Sequence, residues 1–288
     1  MFSYFFSAVL LIALGLLGTT AGAHRLWAHR SYSANLILRI ILMLCQTLVG
    51  YSCIYDWVLD HRIHHKYHGT DDDPFNYKRG FVYAQIGTYM LSKNPRRQEI
   101  IKEIDMSDLE QDKVVMFQKR FFWVLMPILN LLLTINAPAE YWGEDLLVSF
   151  MVIMCLRIPV AFHASWLVNS ARTIWGMVPN DRFFSDSNLA FIIKKSHWHE
   201  YHYTIPWDCL TNEFGSYNCG CSTIFIKIWA AMGWAYNLKT IDARGIRQGL
   251  TKSANTGKPV VECLNEVAEE MMQYQPEDKF VDLLRVTK

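Results

Sequence analysis

The first 23 residues lack any charged side chain. That apolar length is about enough to cross the hydrocarbon core of a bilayer. The stretch also lacks the basic start of a secretory signal peptide. Although Ala21-Gly22-Ala23 reads like a cleavage site, the segment is therefore read as a retained span. The chain as a whole lacks net charge: 28 Lys+Arg against 27 Asp+Glu leaves +1 with His neutral, so no global field argues for nucleic acid. The seven cysteines fall at no disulfide-like spacing, and Cys219-Gly-Cys221 is too tight for the usual zinc pair; they read as reduced thiols. There is no Asn-x-Ser/Thr acceptor, no repeat and no low-complexity segment.

What is present comes in apolar blocks. Spans are expected at about 1–23, 121–138 and 146–168, the last two joined by a short polar loop, 139–145, that holds Tyr141 and Trp142 at interface depth. The stretch 36–58 is apolar but interrupted by Arg39, Gln46 and Asp56, which fits an interfacial helix, and 222–234 reads the same way. Lys and Arg cluster after the first span, before the second and after the third. The positive-inside rule then puts those segments in the cytosol, and Met1 and the 139–145 loop in the lumen.

The ten histidines are clustered. The clusters are His24-Arg-Leu-Trp-Ala-His29, then Asp60-His61-Arg-Ile-His64-His65, then His197-Trp-His199-Glu-Tyr-His202-Tyr203. On a helix, His61, His64 and His65 share one face, and His199 and His202 repeat the i, i+3 relation. Imidazole suits iron, zinc, copper and nickel, while a thiolate set is absent. Glu and Glu-x-x-His, the soluble di-iron bundle pattern, is absent too. Asp60 and Asp71 to Asp73 are expected to orient imidazoles through their second ring nitrogen. His68 reads as solvated. His163, inside a span, is either functional or a hydrogen-bond partner of a neighbouring helix.

These motifs resemble the three boxes of the membrane acyl-CoA (stearoyl-CoA) Δ9 desaturases. The likeness runs from about residue 20 to about 258 and includes Met116-Phe-Gln, Tyr141-Trp-Gly-Glu144, Trp166-Leu-Val-Asn-Ser170 and Pro206-Trp-Asp208. It implies an all-α integral membrane protein, with transmembrane helices capped by a cytosolic helical domain that holds a histidine-rich di-iron site. Residues 1–258 would form that desaturase domain and 259–288 a polar helical tail. It implies a cis double bond introduced into a saturated fatty acyl-CoA at the endoplasmic reticulum membrane, using dioxygen and electrons passed from NADH through its reductase and cytochrome b5. The chemistry is consistent: an unactivated methylene has no acidic proton and no leaving group, so the oxidant must come from a metal cofactor. By this resemblance one iron is held by His24, His29, His61 and His65. The other is held by His64, His199 and His202, with Asn169 through water. Trp57, Ser165 and Trp166 match positions lining the acyl tunnel, and Lys93 would meet the CoA phosphates.

The chain departs from the pattern in places. Tyr203 and Thr173 stand where the family has histidine, so each iron has one imidazole fewer. Leu59 replaces the basic residue usual before Asp60, Lys195-Ser196-His197 replaces a Gly-Glu-Gly lead-in, and the chain starts one helix late. Besides a working desaturase, with Tyr203 ligating as phenolate, a non-catalytic relative that binds acyl-CoA or a desaturase partner is compatible with these changes, as is a lipid hydroxylase.

Overall fold

A computed structural model describes residues 2–175, 198–211, 213, 217–218 and 220–273. They are overwhelmingly helical, with strand only at Ser33–Ala34 and Ala235–Tyr236. Three helical stretches are long and apolar enough to span a membrane: Phe5–Ala28, Lys113–Trp142 and Leu146–Ser170, of 24, 30 and 25 residues. At 1.5 Å per residue even the shortest reaches about 36 Å, more than a hydrocarbon core needs. The chain is thus an all-α integral membrane protein. It divides into two compact units, one holding the three spans and one built mainly from residues after 175.

The first span begins as α1 (Phe2–Leu17) and continues as a wider, π-helical stretch over Gly18–Ala28. Beside it lies α2 (Leu36–Thr47), whose N-terminus is capped by the Asn35 side chain accepting from the Leu38 amide at 2.9 Å. One face of α2 buries Leu38, Leu42 and Cys45, while Leu36, Ile37, Ile40, Ile41 and Leu44 remain exposed. An apolar outer face on a short helix suits the lipid interface. Gly18 permits this packing, because a Cβ there would collide with the backbone of Cys45 and Gln46. Thr19, one residue on, donates to Gln46 Oε1 at 2.8 Å and lies 3.1 Å from Ser165 Oγ on the third span.

The apolar stretch expected as one interfacial helix over 36–58 is two helices. α2 stops before Gly50, which sits at φ +92°, and α3 (Ile54–Lys66) begins after the turn. A side chain at Gly50 would also strike Asn130. Buried Gln118 bridges the break: its Nε2 donates to Thr47 Oγ1 at 2.9 Å and its Oε1 accepts from the Ile54 amide at 2.8 Å. Arg157, fully buried in the third span, donates to Asn130 Oδ1 and to the Leu48 carbonyl and closes the same turn.

The second span runs as α4 (Lys113–Met126), a π-helical turn at Pro127–Leu132 and α5 (Leu133–Trp142). The expected loop 139–145 is therefore shorter: helix persists to Trp142 and ends at Gly143 (φ +64°), where a left-handed residue closes the last turn. Asp145 then caps the third span, made of α6 (Leu146–Val152), a π-helical stretch (Ile153–Arg157) and α7 (Ile158–Ser170). Asp112 ties the first unit together. It caps α4, and it accepts from Trp27 Nε1 at 3.0 Å and from the Arg39 guanidinium.

In the second unit, α8 (Trp198–Thr204) carries the third histidine motif. Its buried Tyr201 packs with Ile205, Ile241, Ile246, Leu264 and Ala268. Tyr201 and Tyr217 both donate to Asp208 Oδ2, at 2.6 and 3.0 Å. The helices α9 (Cys221–Ala231), α10 (Ala243–Thr256) and α11 (Val260–Gln273) follow, α10 and α11 pairing closely where Gly249 faces Leu264. Residues 260–273 are thus packed, contributing Leu264 and Ala268 to the core; the chain beyond Gln273 lies outside the described residues.

The Gly18 contact makes a stability prediction. Gly18→Val should destabilise the detergent-purified protein by about 1–3 kcal/mol through overpacking. Gly143→Ala, in open space, should cost only about 1 kcal/mol of backbone strain. Thermal unfolding midpoints of the two variants, compared with the parent, test the order.

Candidate metal centre

The first two histidine motifs meet where the first span ends and α3 passes it. His24 lies on the π-helical stretch, whose wide turn brings His29 back to cap it, the His29 amide donating to the His24 carbonyl at 3.0 Å. On α3, His61, His64 and His65 point to the same side, as their spacing requires. The imidazoles of His24, His29 and His61 pack with centroids 4.7–4.8 Å apart. His65 lies 4.5 Å from His29 and 4.7 Å from His61. One ligand nitrogen from each of His24, His29 and His61 falls within 4.8 Å of the others.

Nitrogen orientation decides whether such a cluster can ligate. His61 Nδ1 lies 2.7 Å from Asn169 Oδ1, so Nδ1 carries the proton and donates. Its Nε2 then presents a lone pair toward His29 Nε2, 2.8 Å away. Two nitrogens bound at right angles to one ion, each at about 2.1 Å, stand about 3 Å apart, so this spacing fits shared coordination. Burial, reinforced by neighbouring His24 and His64, holds the His61 pKa well below the ordinary imidazole range. A neutral imidazole is the ligating form. The donor set thus fits a metal of imidazole preference.

Asn169, expected to act through water, here spends its side-chain oxygen on His61. Of the four aspartates expected to orient imidazoles, only Asp73 does so among the described contacts. Its Oδ1 accepts from His64 Nδ1 at 2.7 Å, and the Gly69 and Phe75 amides hold the carboxylate at 2.9 and 2.8 Å. Asp60 instead pairs with Arg97 and lies 3.8 Å from Lys93, and Asp72 pairs with Arg96 at 2.9 Å. Arginine and lysine within reach of Asp60 and Asp72 offer a stronger partner than a neutral ring.

His68 corrects another expectation. It is not solvated: its side chain is 18% exposed, and its ring lies 5.0 Å from that of His64. Burial first, then the charges of His64 and Arg172, push its pKa down to about 3. The signal available was its i+4 spacing from His64, the same as between His61 and His65. His163 meets Gln85, whose Nε2 lies 3.4 Å from the imidazole Nδ1 and donates to the backbone carbonyl at 2.8 Å, a contact of the hydrogen-bonding kind expected.

Trp57 is buried and stacks on His61 at 4.9 Å. Trp166 stacks on Tyr89 at 4.6 Å, and buried Ser165 lies 3.3 Å from Tyr51 Oη. Lys93, Arg79 and Arg97 line a cleft of about 440 Å³ together with Asp72 and Asp73. Thr173 gives its hydroxyl proton to the Ser170 carbonyl at 2.6 Å. In the second unit His202 is buried, with the Tyr203 ring 5.9 Å away; the side chain of His199 lies outside the described residues.

Arg62, between the α3 histidines, sets their register. It donates to the Trp27 carbonyl at 2.8 Å and grips both oxygens of Asp108 at 2.8 and 2.9 Å, while Arg30 reaches Asp108 at 2.8 Å. Burial alone would raise the Asp108 pKa; the hydrogen bonds from Arg62 and Arg30 outweigh it and bring the group down to about 2.

The fold and the cluster define a membrane-embedded protein with a histidine-rich group able to hold a metal ion. No protein-family model matches the chain. Known proteins do. The chain is 41% identical over 251 residues to the acyl-CoA Delta-9 desaturase of Acheta domesticus, covering 86% of this chain and 70% of that protein. It is 40% identical over 251 residues to the acyl-CoA Delta12-desaturase of the same species, with the same coverage. It is 39% identical over 228 residues to stearoyl-CoA desaturase 4 of Mus musculus, covering 78% of this chain and 64% of that protein. The chain belongs to the acyl-CoA desaturase family, a family of oxidoreductases.

Two measurements check the site. Asp73→Asn should weaken metal binding about 10–100-fold by releasing the His64 tautomer, read as metal retained per chain after dialysis. Because the Asp108 pKa is depressed, its pairing stabilises the fold above the unfolded carboxylate value of about 4 and fades as pH falls through the folded value. Asp108→Asn should therefore lower the unfolding midpoint at pH 7, and the gap from the parent should narrow toward pH 2. A gap constant over that range contradicts the pairing.

Proposed function

We propose that this chain is an acyl-CoA Δ9 desaturase of the endoplasmic reticulum membrane with its histidine boxes in the cytosol. In this reading it places a cis double bond in a saturated fatty acyl-CoA, with electrons from NADH delivered by its reductase and cytochrome b5. The observation that carries it is the packed cluster of His24, His29, His61 and His65, with the His61 nitrogen turned inward by Asn169. The proposed ligands are His24, His29, His61 and His65 for one Fe2+, and His64, His199 and His202, with Asn169 nearby, for the other.

When bound, the two irons supply the redox chemistry by which dioxygen, two electrons and two protons take two hydrogens from adjacent methylenes and leave two waters. The protein's own residues do the rest. Lys93, Arg79 and Arg97 give the cleft cationic donors for the phosphates of CoA. Trp57 and Trp166 offer flat apolar walls for a saturated chain near the imidazoles. The Ser165 hydroxyl, linked to Tyr51 and Thr19, stiffens that wall where three segments meet. Asn169 and Asp73 keep protons on the outer nitrogens of His61 and His64.

Incubation with stearoyl-CoA, NADH and the electron-transfer proteins should yield a Δ9 monoene. Relatives named as Delta-12 and Delta(11) desaturases make the double-bond position the first thing to determine. A hydroxy acid, or binding without product, overturns the reading. A Thr173→His/Tyr203→His double variant should turn over faster than the parent.

A further inference from the structure

The third histidine motif stands on a helix too short to hold itself. α8 is seven residues long, and an isolated helix of that length is unstable in water. Contacts outside it must set its rotation and its height. Tyr201, between His199 and His202, sets the rotation: it is fully buried against Ile205, Ile241, Ile246, Leu264 and Ala268. At 3.6 residues per turn, pinning Tyr201 inward turns position 202 about 100° and position 199 about 160° away from it. Leu264 and Ala268 bring α11 into the same support.

Asp208, 1% exposed, fixes the far end of that tyrosine. Its Oδ2 accepts from the Tyr201 hydroxyl at 2.6 Å and from the Tyr217 hydroxyl at 3.0 Å, and its Oδ1 accepts from the Leu210 amide at 3.0 Å. A carboxylate out of water is tolerated only with such donors, and bonds to it are stronger than those between neutral groups. The next residue carries the linkage on. The Cys209 amide donates to the Lys239 carbonyl at 2.9 Å, and the Lys239 amide donates to the Ser31 carbonyl at 2.8 Å. Ser31–Ser33 belong to the same compact unit as α8, and Ser31 follows His29 by two residues. The second unit therefore grips the chain as it leaves the first histidine motif.

We propose that Asp208 is a positioning residue for the third histidine motif. It fixes α8 through the Tyr201 and Tyr217 hydroxyls and, by way of Cys209 and Lys239, ties it to the segment leaving the first motif. The inference rests on the proposed two-iron reading, and goes beyond it in assigning a residue outside the ligand set.

Titration with Co2+ tests it, using the full chain in detergent, with bound metal counted directly and ligand-field absorption followed. Wild type should take up two ions per chain. Tyr201→Phe/Tyr217→Phe keeps both rings and removes both hydroxyls. It should hold one ion as wild type does and bind the other about 10–100-fold more weakly. The surviving spectrum should match that of His202→Ala, which deletes a proposed ligand of the weakened ion. Asp208→Ala should behave likewise, and Asp208→Asn, which keeps an oxygen for the phenols, should restore part of the affinity. The double phenylalanine variant serves if the alanine variant does not fold. Equal weakening of both ions marks a general loss of fold and overturns the positioning role, as does weakening of neither; in both cases the two-iron reading stands. Failure of wild type to bind two ions overturns that reading, and the positioning role with it.

Discussion

His61 is held between two partners from distant parts of the chain. Asn169 Oδ1 accepts a hydrogen bond from its Nδ1, and His29 faces its Nε2 at 2.8 Å. Both contacts matter, because the partner at Nδ1 fixes the tautomer and ring orientation that turn the Nε2 lone pair toward the cluster. The third span must therefore deliver Asn169, and the end of the first span must deliver His29, to the same side of α3. Much of the first unit can be read as the means of meeting that condition.

Those means are polar groups placed inside an apolar protein. Within a bilayer, each unsatisfied polar group is costly, so a buried hydrogen bond fixes position firmly. Gln118 bridges the break between α2 and α3, Arg157 closes the turn at Leu48, and Thr19 links the first span to Gln46 and Ser165. At the outer end, Asp112 gathers Trp27 and Arg39, and Arg62 locks α3 to the end of the first span through Asp108. The glycines at 18 and 50 let backbones approach or turn where a side chain would obstruct. Positioning comes from groups outside the imidazole cluster, and the cluster inherits it.

Much of this was legible beforehand. The three spans follow from apolar length, and the shared face of His61, His64 and His65 follows from helical spacing. The family was legible in the histidine motifs and their flanks. What could not be read was pairing. Asp60 stands next to His61 in sequence but turns to Arg97, whereas Asp73, nine residues from His64, orients it. Proximity along the chain says little about which group a loop will fold back upon. The break at Gly50 was hidden because apolar residues continue across it, and only the left-handed backbone reveals the turn.

The sequence by itself determined that this is a membrane protein, that imidazoles dominate its ligand set, and which of them share a helix face. These depend on composition and on the geometry of a single helix. Only the tertiary structure decided which nitrogen each imidazole presents, and to what. A neutral ring has one N–H and one bare nitrogen, and which is which is set by the partner that accepts the N–H. For His61 that partner lies 108 residues away, and for His68 the Arg172 guanidinium that donates to its bare nitrogen lies 104 away. Contacts so distant exist only once the spans have packed.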